Sequence, residues 1–241
     1  MEELSYRRVL VADAAEHEAC PLHWDCANCT KSLCVQLVAV AEFPSLFGRF
    51  HIIGFTNNKD GKDHTMVVKG DVEARENVLT RVHSSCLTGD ALGSLRCDCG
   101  PQLRKSLVMM EEEGFGILVY MQQEGRGIGL TNKLRAYMLQ DGGLDTYDAN
   151  IALGLPADER DYEISATMLK KVGVGDIRLI TNNPTKVDAL RRYGVKIRDI
   201  IPIQAEVTEF NKRYFEAKRD RFGHKIVFEG KQVKDPCGCN K

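Results

Sequence analysis

Residues 79–114 read LTRVHSSCLTGDALGSLRCDCGPQLRKSLVMMEEEG, and they combine three kinds of local pattern. The first part, LTRVHSSC, is typical of a β-strand that runs into a loop with three cysteines. The last part, PQLRKSLVMMEEEG, has helical periodicity, with Pro101 near its first turn and Gly114 at its end. A buried strand, GILVYM, follows at residues 116–121. A strand, a helix and a second strand in succession indicate an α/β layer.

The segments on either side extend this pattern. Before it, CVQLVAVAEF, GRFHIIGF and HTMVVKGDV alternate apolar and polar residues and predict antiparallel strands. After it, the spacing predicts helices in IGLTNKLRAYMLQDGG, DYEISATMLKKVGV and PTKVDALRRYG, and short strands in DIRLIT and VKIRDIIP. We also predict one long charged helix from Glu206 to His224. The predicted fold class is therefore α/β, with a mixed sheet, antiparallel N-terminal strands and flanking helices.

The length of 241 residues allows one large domain with extensions. We predict three parts: a cysteine-bearing N-terminal extension at residues 1–34, a main domain at residues 35–205, and a C-terminal helix with a cysteine-containing tail at residues 206–241. Hydrophobic residues make up 43% and charged residues 28% of the chain, which is typical of a globular protein with a buried core.

Charge and cysteine content limit the possible partners. A formal net charge of -1 gives no general attraction for nucleic acid or an anionic membrane, so a local group of Arg and Lys must hold any anionic ligand. A small phosphorylated ligand fits this balance better than nucleic acid. The sequence has no apolar run of ~20 residues and no secretory signal, and we predict a cytoplasmic protein. Nine cysteines in that compartment indicate metal binding or reduced thiols.

Cys86, Cys97 and Cys99 are the closest group of possible metal ligands in the quoted stretch. A structural zinc usually has four protein ligands, whereas a catalytic zinc usually has three and leaves one position open for water. Three cysteines therefore suggest a catalytic metal. The alternative is a closed structural site in which His83 is the fourth ligand.

Six motifs give the chain a resemblance to a known family. RVHSSCLTGDAL, SLRCDCGPQL, QQEGRGIGL, NKLRAYMLQD, LPADERDY and TNNPTKVDAL have the order and spacing found in GTP cyclohydrolase II, between about Val38 and about Ile203. The resemblance implies that family's fold, with residues 35–205 as the catalytic domain. It also implies conversion of GTP to 2,5-diamino-6-(5-phosphoribosylamino)pyrimidin-4(3H)-one, formate and pyrophosphate, the first step of riboflavin synthesis. We further expect a homodimer, and a single activity because only ~37 residues precede the resemblance.

The resemblance assigns the metals. Cys86, Cys97 and Cys99 match the family's zinc ligands. Zinc there would lower the pKa of a water that attacks C8 of guanine and opens the imidazole ring. Mg²⁺ is expected to bind with the triphosphate oxygens, and no protein ligands are assigned to it.

The resemblance also assigns contacts to the nucleotide. The matching residues are Arg81, Val82, His83, Ser84, Ser85, Gln102, Glu124, Gly125, Arg126, Thr146, Thr181 and Lys186. Arg offers paired donors to phosphate, and a carboxylate can accept hydrogen bonds from a purine. The chain departs from the family at Ser85, where Glu is common, and at Gln122, where a basic residue is frequent.

Three residues match catalytic positions of the family. Asp158 and Arg160 correspond to its proposed proton acceptor and nucleophile at the α-phosphate. Arginine is a poor nucleophile because its pKa is above ~12, so the alternative is that Arg160 only stabilises charge while water attacks. Tyr137 matches a tyrosine that accompanies complete reaction to the deformylated product, and its phenol could donate a proton or orient water. Packing on its helix is the other reading of Tyr137.

Two further alternatives remain open. The chain could be a zinc-stabilised module that binds a guanine nucleotide or RNA without turnover, or a paralogue that stops at the formamidopyrimidine. Separately, Cys20, Cys26, Cys29 and Cys34 have spacing suited to a second, structural metal, with His23, Cys237 or Cys239 as additional candidates. An iron–sulfur cluster or reduced thiols are the alternatives for that group.

Overall fold

The computed structural model describes residues 32–226, which form one sheet with helices on both faces. Its strands are β1 Val35–Ser45, β2 Gly48–Asn57, β3 His64–Lys69, β4 Val78–Ser84, β5 Gly116–Met121, β6 Ile177–Ile180 and β7 Ile197–Ile201. Its helices are α1 Cys99–Glu113, α2 Leu130–Asp141, α3 Thr146–Ala152, α4 Glu163–Lys171, α5 Pro184–Arg192 and α6 Lys212–Phe222.

The seven strands lie in the order β1-β2-β3-β5-β4-β6-β7. The pairs from β1 to β5 are antiparallel, whereas β5, β4, β6 and β7 pair in parallel. The prediction of a mixed α/β sheet with antiparallel N-terminal strands is confirmed. Because β4, β5 and β6 run in the same direction, their carboxyl ends meet at one edge of the sheet, where α/β folds commonly bind ligands.

Two apolar clusters cover the two faces of the sheet. On one face, Val82 of β4 packs in a cluster with residues of α4 and α5, such as Leu169 and Leu190. On the other face, Leu79 of β4 packs with Met110 of α1. This alternation follows from the strand geometry, in which successive side chains point to opposite faces. The polar residues at the carboxyl end of β4 are therefore held on a strand that is buried on both sides.

Two helices differ from the sequence prediction. The helix predicted from Glu206 to His224 is wrong in length, because α6 begins only at Lys212. Before it, the Asn211 side chain accepts a hydrogen bond from the Thr208 N–H and donates one to the Glu206 carbonyl, which closes a turn instead of a helix. The seven-residue helix α3 was not predicted, since it is too short for a clear apolar period.

Several predicted metal ligands lie outside the described residues: Cys20, His23, Cys26, Cys29, Cys237 and Cys239. Cys34 is described and buried, and its backbone N–H donates to Asn58 Oδ1 at 2.6 Å. Within residues 32–226 we find no helix with the length and apolar content needed to cross a membrane.

Candidate active site

A cleft opens at the carboxyl ends of β4, β5 and β6 and contains most of the predicted site. It encloses about 1150 Å³, including its open mouth, which is ample for a nucleotide-sized ligand. The predicted residues that line it are Arg81, His83, Ser84, Ser85, Cys86, Cys97, Cys99, Gln102, Glu124, Gly125, Arg126, Tyr137, Thr146, Arg160, Thr181 and Lys186. Two do not: Asp158 stands behind Arg160, and the Val82 side chain is buried in the core.

The cleft has a strongly positive lining. Its described walls contain seven Arg and Lys side chains and a single carboxylate, that of Glu124. A chain with a net charge of -1 thus concentrates basic groups in one concave place. Such a place favours a polyanionic ligand, because several cations act together in a site partly shielded from water.

The three cysteines of the predicted zinc site meet at one end of the cleft. Cys86 follows β4, Cys97 ends the connecting loop, and Cys99 is the first residue of α1. Their sulfur atoms all lie within 4.8 Å of one another, and the Cys86 and Cys97 sulfurs are 3.7 Å apart. Three converging thiols beside a cleft fit a zinc ion with an open position.

His83 is not placed as a fourth ligand. Its Nε2 atom lies 3.1 Å from both carboxylate oxygens of Asp90, and its ring stacks on Tyr120. The same Asp90 carboxylate accepts hydrogen bonds from the Tyr120 hydroxyl and the Cys86 N–H. The closed structural site considered from the sequence therefore has no support among the described residues. His83 instead fixes the end of β4 to the cysteine loop, residues 86–99.

Two glycines allow the cysteine loop to fold this tightly. A Cβ atom added at Gly89 would lie 2.7 Å from the Cys97 sulfur and 3.1 Å from the Cys86 sulfur. A Cβ atom added at Gly100 would lie 2.1 Å from the Gly89 carbonyl oxygen. Only residues without a side chain fit at these two positions, so the sulfur cluster depends on close backbone approach.

Lys133 supplies a positive charge beside the sulfurs. Its Nζ atom lies 3.0 Å from Cys86 Sγ, 2.9 Å from Thr88 Oγ1 and 2.8 Å from Glu124 Oε1. Hydrogen bonds from the Cys97 and Cys99 thiols, together with Lys133, hold the pKa of Cys86 far below its ordinary value. The pKa of Cys97 is raised to about 11, chiefly by its partner Cys86. The surroundings therefore favour the thiolate form at Cys86 over the same form at Cys97.

The sequence reading missed Lys133, although a signal existed. Lys133 and Tyr137 are four residues apart on α2 and therefore share one face of that helix. The Tyr137 hydroxyl lies 3.4 Å from Thr88 Oγ1, which is itself 3.6 Å from Cys86 Sγ. The structure thus places Tyr137 in the cleft, beside the cysteines.

Glu124 connects the cysteine loop to the turn after β5. Its carboxylate accepts hydrogen bonds from the Leu87 N–H at 2.6 Å, the Gly125 N–H at 3.0 Å and Lys133. These three bonds orient the carboxylate toward the cysteine loop. Recognition of guanine by Glu124 stays a prediction.

The Glu124–Gly127 turn supports the segment that carries Asp158 and Arg160. Gly125 and Arg126 have left-handed backbones, with φ of 63° each, an uncommon conformation for arginine that is found at functional sites. The Arg126 carbonyl accepts a hydrogen bond from the Glu159 N–H at 2.9 Å. This contact holds the 158–160 segment against the cleft.

Asp158 and Arg160 form a bidentate ion pair. Asp158 Oδ1 accepts from the Arg160 backbone N–H and from Nε, and Oδ2 pairs with the second guanidinium nitrogen. Burial disfavours the charged form of both groups, but the hydrogen bonds and the charges of their neighbours favour it more strongly. The pKa of Asp158 is consequently lowered by Arg160, and the pKa of Arg160 is raised by Tyr162 and Asp158. The pair is charged on both sides.

A chain of buried polar groups crosses the floor of the cleft. Arg81 donates to the Ile180 carbonyl at 3.0 Å and to Gln102 Oε1 at 2.5 Å. Gln102 in turn donates to Asp98 Oδ2 at 2.6 Å. Asp98 lies between two of the cysteines in the sequence. This series of hydrogen bonds therefore connects the predicted anion contacts with the predicted metal site.

Lys186 and Thr181 lie at the carboxyl end of β6. Lys186 is the third residue of α5, and its Nζ atom donates to the Val82 carbonyl at 2.6 Å. Burial, followed by repulsion from Arg81 and Arg160, lowers the pKa of Lys186 well below its ordinary value. Thr181 Oγ1 accepts from the Asn183 N–H at 3.1 Å. Lys186 is thus a buried basic group next to two cations.

The remaining predicted contacts stand around the rim. Thr146 begins α3, whose N-cap Asp145 accepts from the Asp148 N–H at 2.8 Å. The Ser84 hydroxyl is 3.5 Å from Gln123 Oε1, and the buried Ser85 hydroxyl has no partner within residues 32–226.

Four cleft residues come from the C-terminal end of the described chain and were also missed. They are Tyr214, Lys218, Phe222 and His224. The first three are four residues apart and so lie on one face of α6. That spacing was the available signal.

The fold and the site together define an α/β protein with three cysteines that could hold a metal ion beside a basic cleft. The sequence profile described as GTP cyclohydrolase II matches residues 36–202. The chain therefore belongs to the GTP cyclohydrolase II family.

The comparison with curated proteins gives similar relatives. The chain is 54% identical over 181 residues to "Riboflavin biosynthesis protein RibBA" of Bacillus mycoides, and 55% identical over 181 residues to the protein of that name in Bacillus cytotoxicus. Each match covers 75% of this chain and 46% of the relative, so the matched region is about half the length of the relatives. The prediction of a single activity stays a prediction.

Among solved structures, the chain is similar to RibBX, a two-domain 3,4-dihydroxy-2-butanone 4-phosphate synthase from A. baumannii. The TM-score is 0.38 and the identity 20%, over 77% of this chain and 44% of that one. This likeness is too weak to carry an argument.

Proposed function

We propose that this chain is a zinc-dependent GTP cyclohydrolase II. It would open the imidazole ring of GTP, release formate and pyrophosphate, and give 2,5-diamino-6-(5-phosphoribosylamino)pyrimidin-4(3H)-one for riboflavin biosynthesis. One observation carries the proposal: a three-sulfur cluster and Arg160, which is held by Asp158, face the same basic cleft. Family membership supports the same reaction.

The cysteine end of the cleft suits ring opening. Zinc held by Cys86, Cys97 and Cys99 would supply Lewis acidity and activation of water. Lys133 offsets the negative charge of the sulfurs, because three thiolates and one divalent cation leave a net charge of -1. Tyr137 has its hydroxyl next to Thr88 and can move a proton at the formyl-bearing nitrogen. Its position favours complete reaction over a stop at the formamidopyrimidine.

The phosphate end suits charge stabilisation by Arg160. A nucleophilic Arg160 would have to transfer its proton to Asp158. The pKa of Asp158 is lowered and that of Arg160 is raised, so this transfer is opposed on both sides. We therefore assign Arg160 to stabilising charge on the α-phosphate and Asp158 to orienting Arg160, while water attacks.

Other residues would hold the nucleotide. Among the described residues, a buried guanidinium nitrogen of Arg126, Nη1, and the Nε atom of Arg81 have no hydrogen-bond partner. Both are suited to phosphate oxygens. Mg²⁺ would bind through the triphosphate. A homodimer in the cytoplasm, with GTP as substrate and no nucleic-acid partner, completes the proposal.

The test is turnover of GTP by zinc-loaded protein with Mg²⁺, with formate and pyrophosphate followed separately. Wild type should release both. Replacing any of Cys86, Cys97 or Cys99 with Ser should abolish formate release. Pyrophosphate release should continue, because the step at the α-phosphate does not need the zinc ion. Absence of both products from wild type would favour a nucleotide-binding module. A guanylylated protein in the acid-quenched reaction would contradict the role given to Arg160.

A further inference from the structure

The family match ends at residue 202, yet the cleft continues beyond it. Tyr214, Lys218, Phe222 and His224, which we call the C-terminal wall, line the same space as the cysteines and Arg160. Helix α6 is also buried through Phe215, which is 1% exposed. The helix is therefore packed against the domain, and its cleft-facing side chains have a fixed position.

A buried ion pair anchors the wall. Lys218 Nζ lies 2.6 Å from Asp98 Oδ1, and both side chains are almost fully buried. Breaking one partner of such a pair leaves an uncompensated buried charge, which is strongly unfavourable. Past the helix, the His224 N–H donates to the Lys218 carbonyl at 3.1 Å and the Lys225 N–H to the Asn182 carbonyl at 3.4 Å. The chain thus returns to the carboxyl end of β6.

Phe222 and Arg126 form the next contact of the wall. The Arg126 guanidinium carbon lies 3.9 Å from the centre of the Phe222 ring, a cation–π distance. One guanidinium nitrogen of Arg126 is buried and has no hydrogen-bond partner among the described residues. The ring therefore fixes the plane of a guanidinium whose donor is still available to a ligand.

His224 lines the same cleft as cations from four different elements, and it is within their electrostatic reach. These are Lys218 of α6, Arg126 of the turn after β5, Arg160 of the loop before α4, and Lys186 of α5. Burial and then repulsion from these four groups lower the pKa of His224 to about 2. Its imidazole makes no hydrogen bond to the described residues. A polyanion among the four cations would remove the repulsion and accept a hydrogen bond from the ring.

We propose that His224 is a substrate-binding residue for the polyphosphate part of the ligand, and that Phe222 is a positioning residue acting through Arg126. The proposal rests on the proposed function for the identity of the ligand as GTP. It adds residues beyond the family-matched region to the site. The C-terminal wall then contributes to binding of the phosphates, and the proposal assigns it no part in ring opening.

The experiment uses full-length, zinc-loaded protein and three ligands: GTP, inorganic tripolyphosphate and guanosine. His224→Ala should weaken binding of GTP and tripolyphosphate by roughly ten- to a hundredfold, the range expected for a hydrogen bond to a charged group. Guanosine binding should not change, since guanosine has no phosphate. Lys225→Ala is the matched control, because Lys225 is basic, adjacent and exposed, and does not line the cleft.

Phe222 is tested through its partner. Phe222→Ala and Arg126→Ala should each weaken tripolyphosphate binding, and the double variant should lose little more than Arg126→Ala alone. Additive losses would contradict the positioning role. Thermal unfolding of each variant separates a lost contact from a lost fold, and His224→Phe, which keeps a ring but has no N–H donor, replaces His224→Ala if the latter does not fold.

Outcomes for this inference and for the proposed function are distinguishable. If wild type releases no formate or pyrophosphate but tripolyphosphate binding still depends on His224, the proposed function fails and this inference stands. If wild type turns GTP over, and folded His224→Ala binds tripolyphosphate as tightly as Lys225→Ala does, this inference is overturned and the proposed function stands.

Discussion

Lys186 is the residue at which binding and stability oppose each other most directly. Its amino group is buried within electrostatic reach of Arg81 and Arg160, and it donates a hydrogen bond to the Val82 carbonyl. Burial holds its pKa in the folded protein below the unfolded value of about 10.4. Between its lowered folded-state pKa and pH ~10.4, the unfolded chain therefore binds more protons at this position than the folded protein, so stability is lost as the pH falls through this window.

We expect Lys186→Met to raise the melting temperature of the ligand-free protein at pH 7 by roughly 2–4 °C, the shift for about 1 kcal/mol in a chain of this size. The gain should shrink as the pH rises toward ~10.4, where the unfolded lysine also loses its proton. Affinity for GTP should fall. Thermal scans between pH 7 and 10 measure the effect, with the exposed Lys170→Met as control. A lower melting temperature at pH 7 would refute this explanation.

Tyr137 is the second residue whose role can be isolated. Tyr137→Phe removes only the hydroxyl that lies 3.4 Å from Thr88 Oγ1. We expect the formylated intermediate to accumulate while ring opening continues, with formate release reduced by about 10²-fold or more, as for loss of a general acid. Chromatography of the products measures it. Tyr193→Phe is the control, because Tyr193 is a half-buried tyrosine that packs against the core away from the cleft. Unchanged formate release would leave Tyr137 with a packing role.

Individual elements differ in how well the sequence predicted them. The strands were predicted from their apolar patterns, and α1 was predicted from its period together with Pro101 in its first turn and Gly114 at its end. The start of α6 was placed too early because two glutamates before Lys212 favour a helix. The Asn211 side chain instead closes a turn at this position. Periodicity reports local preference and does not detect such a side-chain contact.

The cysteine loop provides the prediction at this scale. We expect Gly89→Ala to lower zinc affinity by roughly five- to a hundredfold, because the new methyl group would collide with the sulfurs of Cys97 and Cys86 and overpacking of this kind costs about 1–3 kcal/mol. Competition with a chromogenic chelator measures it. Gly54→Ala is the matched control, since a Cβ atom there has open space around it. Equal zinc affinity in the two variants would show that the loop adapts.

At the scale of the whole molecule, the sequence predicted most residues of the cleft within the six motifs. It did not predict that α6 and the residues after it form one wall of the cleft. The six motifs identified most of the lining because each is local. Lys218 was missed because its partner Asp98 is 120 positions away, and no spacing rule covers such a distance. Lys133 was missed because its value depends on three partners from different segments.

The N-terminal cysteines give a prediction for the complete chain. We propose that Cys20, Cys26, Cys29 and Cys34 hold a second, structural metal. Metal analysis of anaerobically purified protein should find about two ions per chain, and deletion of residues 1–34 should reduce this to one while GTP turnover is largely kept. One ion in the intact chain would end this proposal.

The ion pair between Lys218 and Asp98 joins α6 to a residue that stands between two cysteines. Undocking of the helix would therefore disturb the sulfur cluster, and by reciprocity an ion in that cluster would resist undocking. The helix carries Arg219 and Arg221, both targets of trypsin. Susceptibility of this helix to trypsin would consequently fall when the cysteine loop takes up metal, and a single cut there would speed escape of the ion.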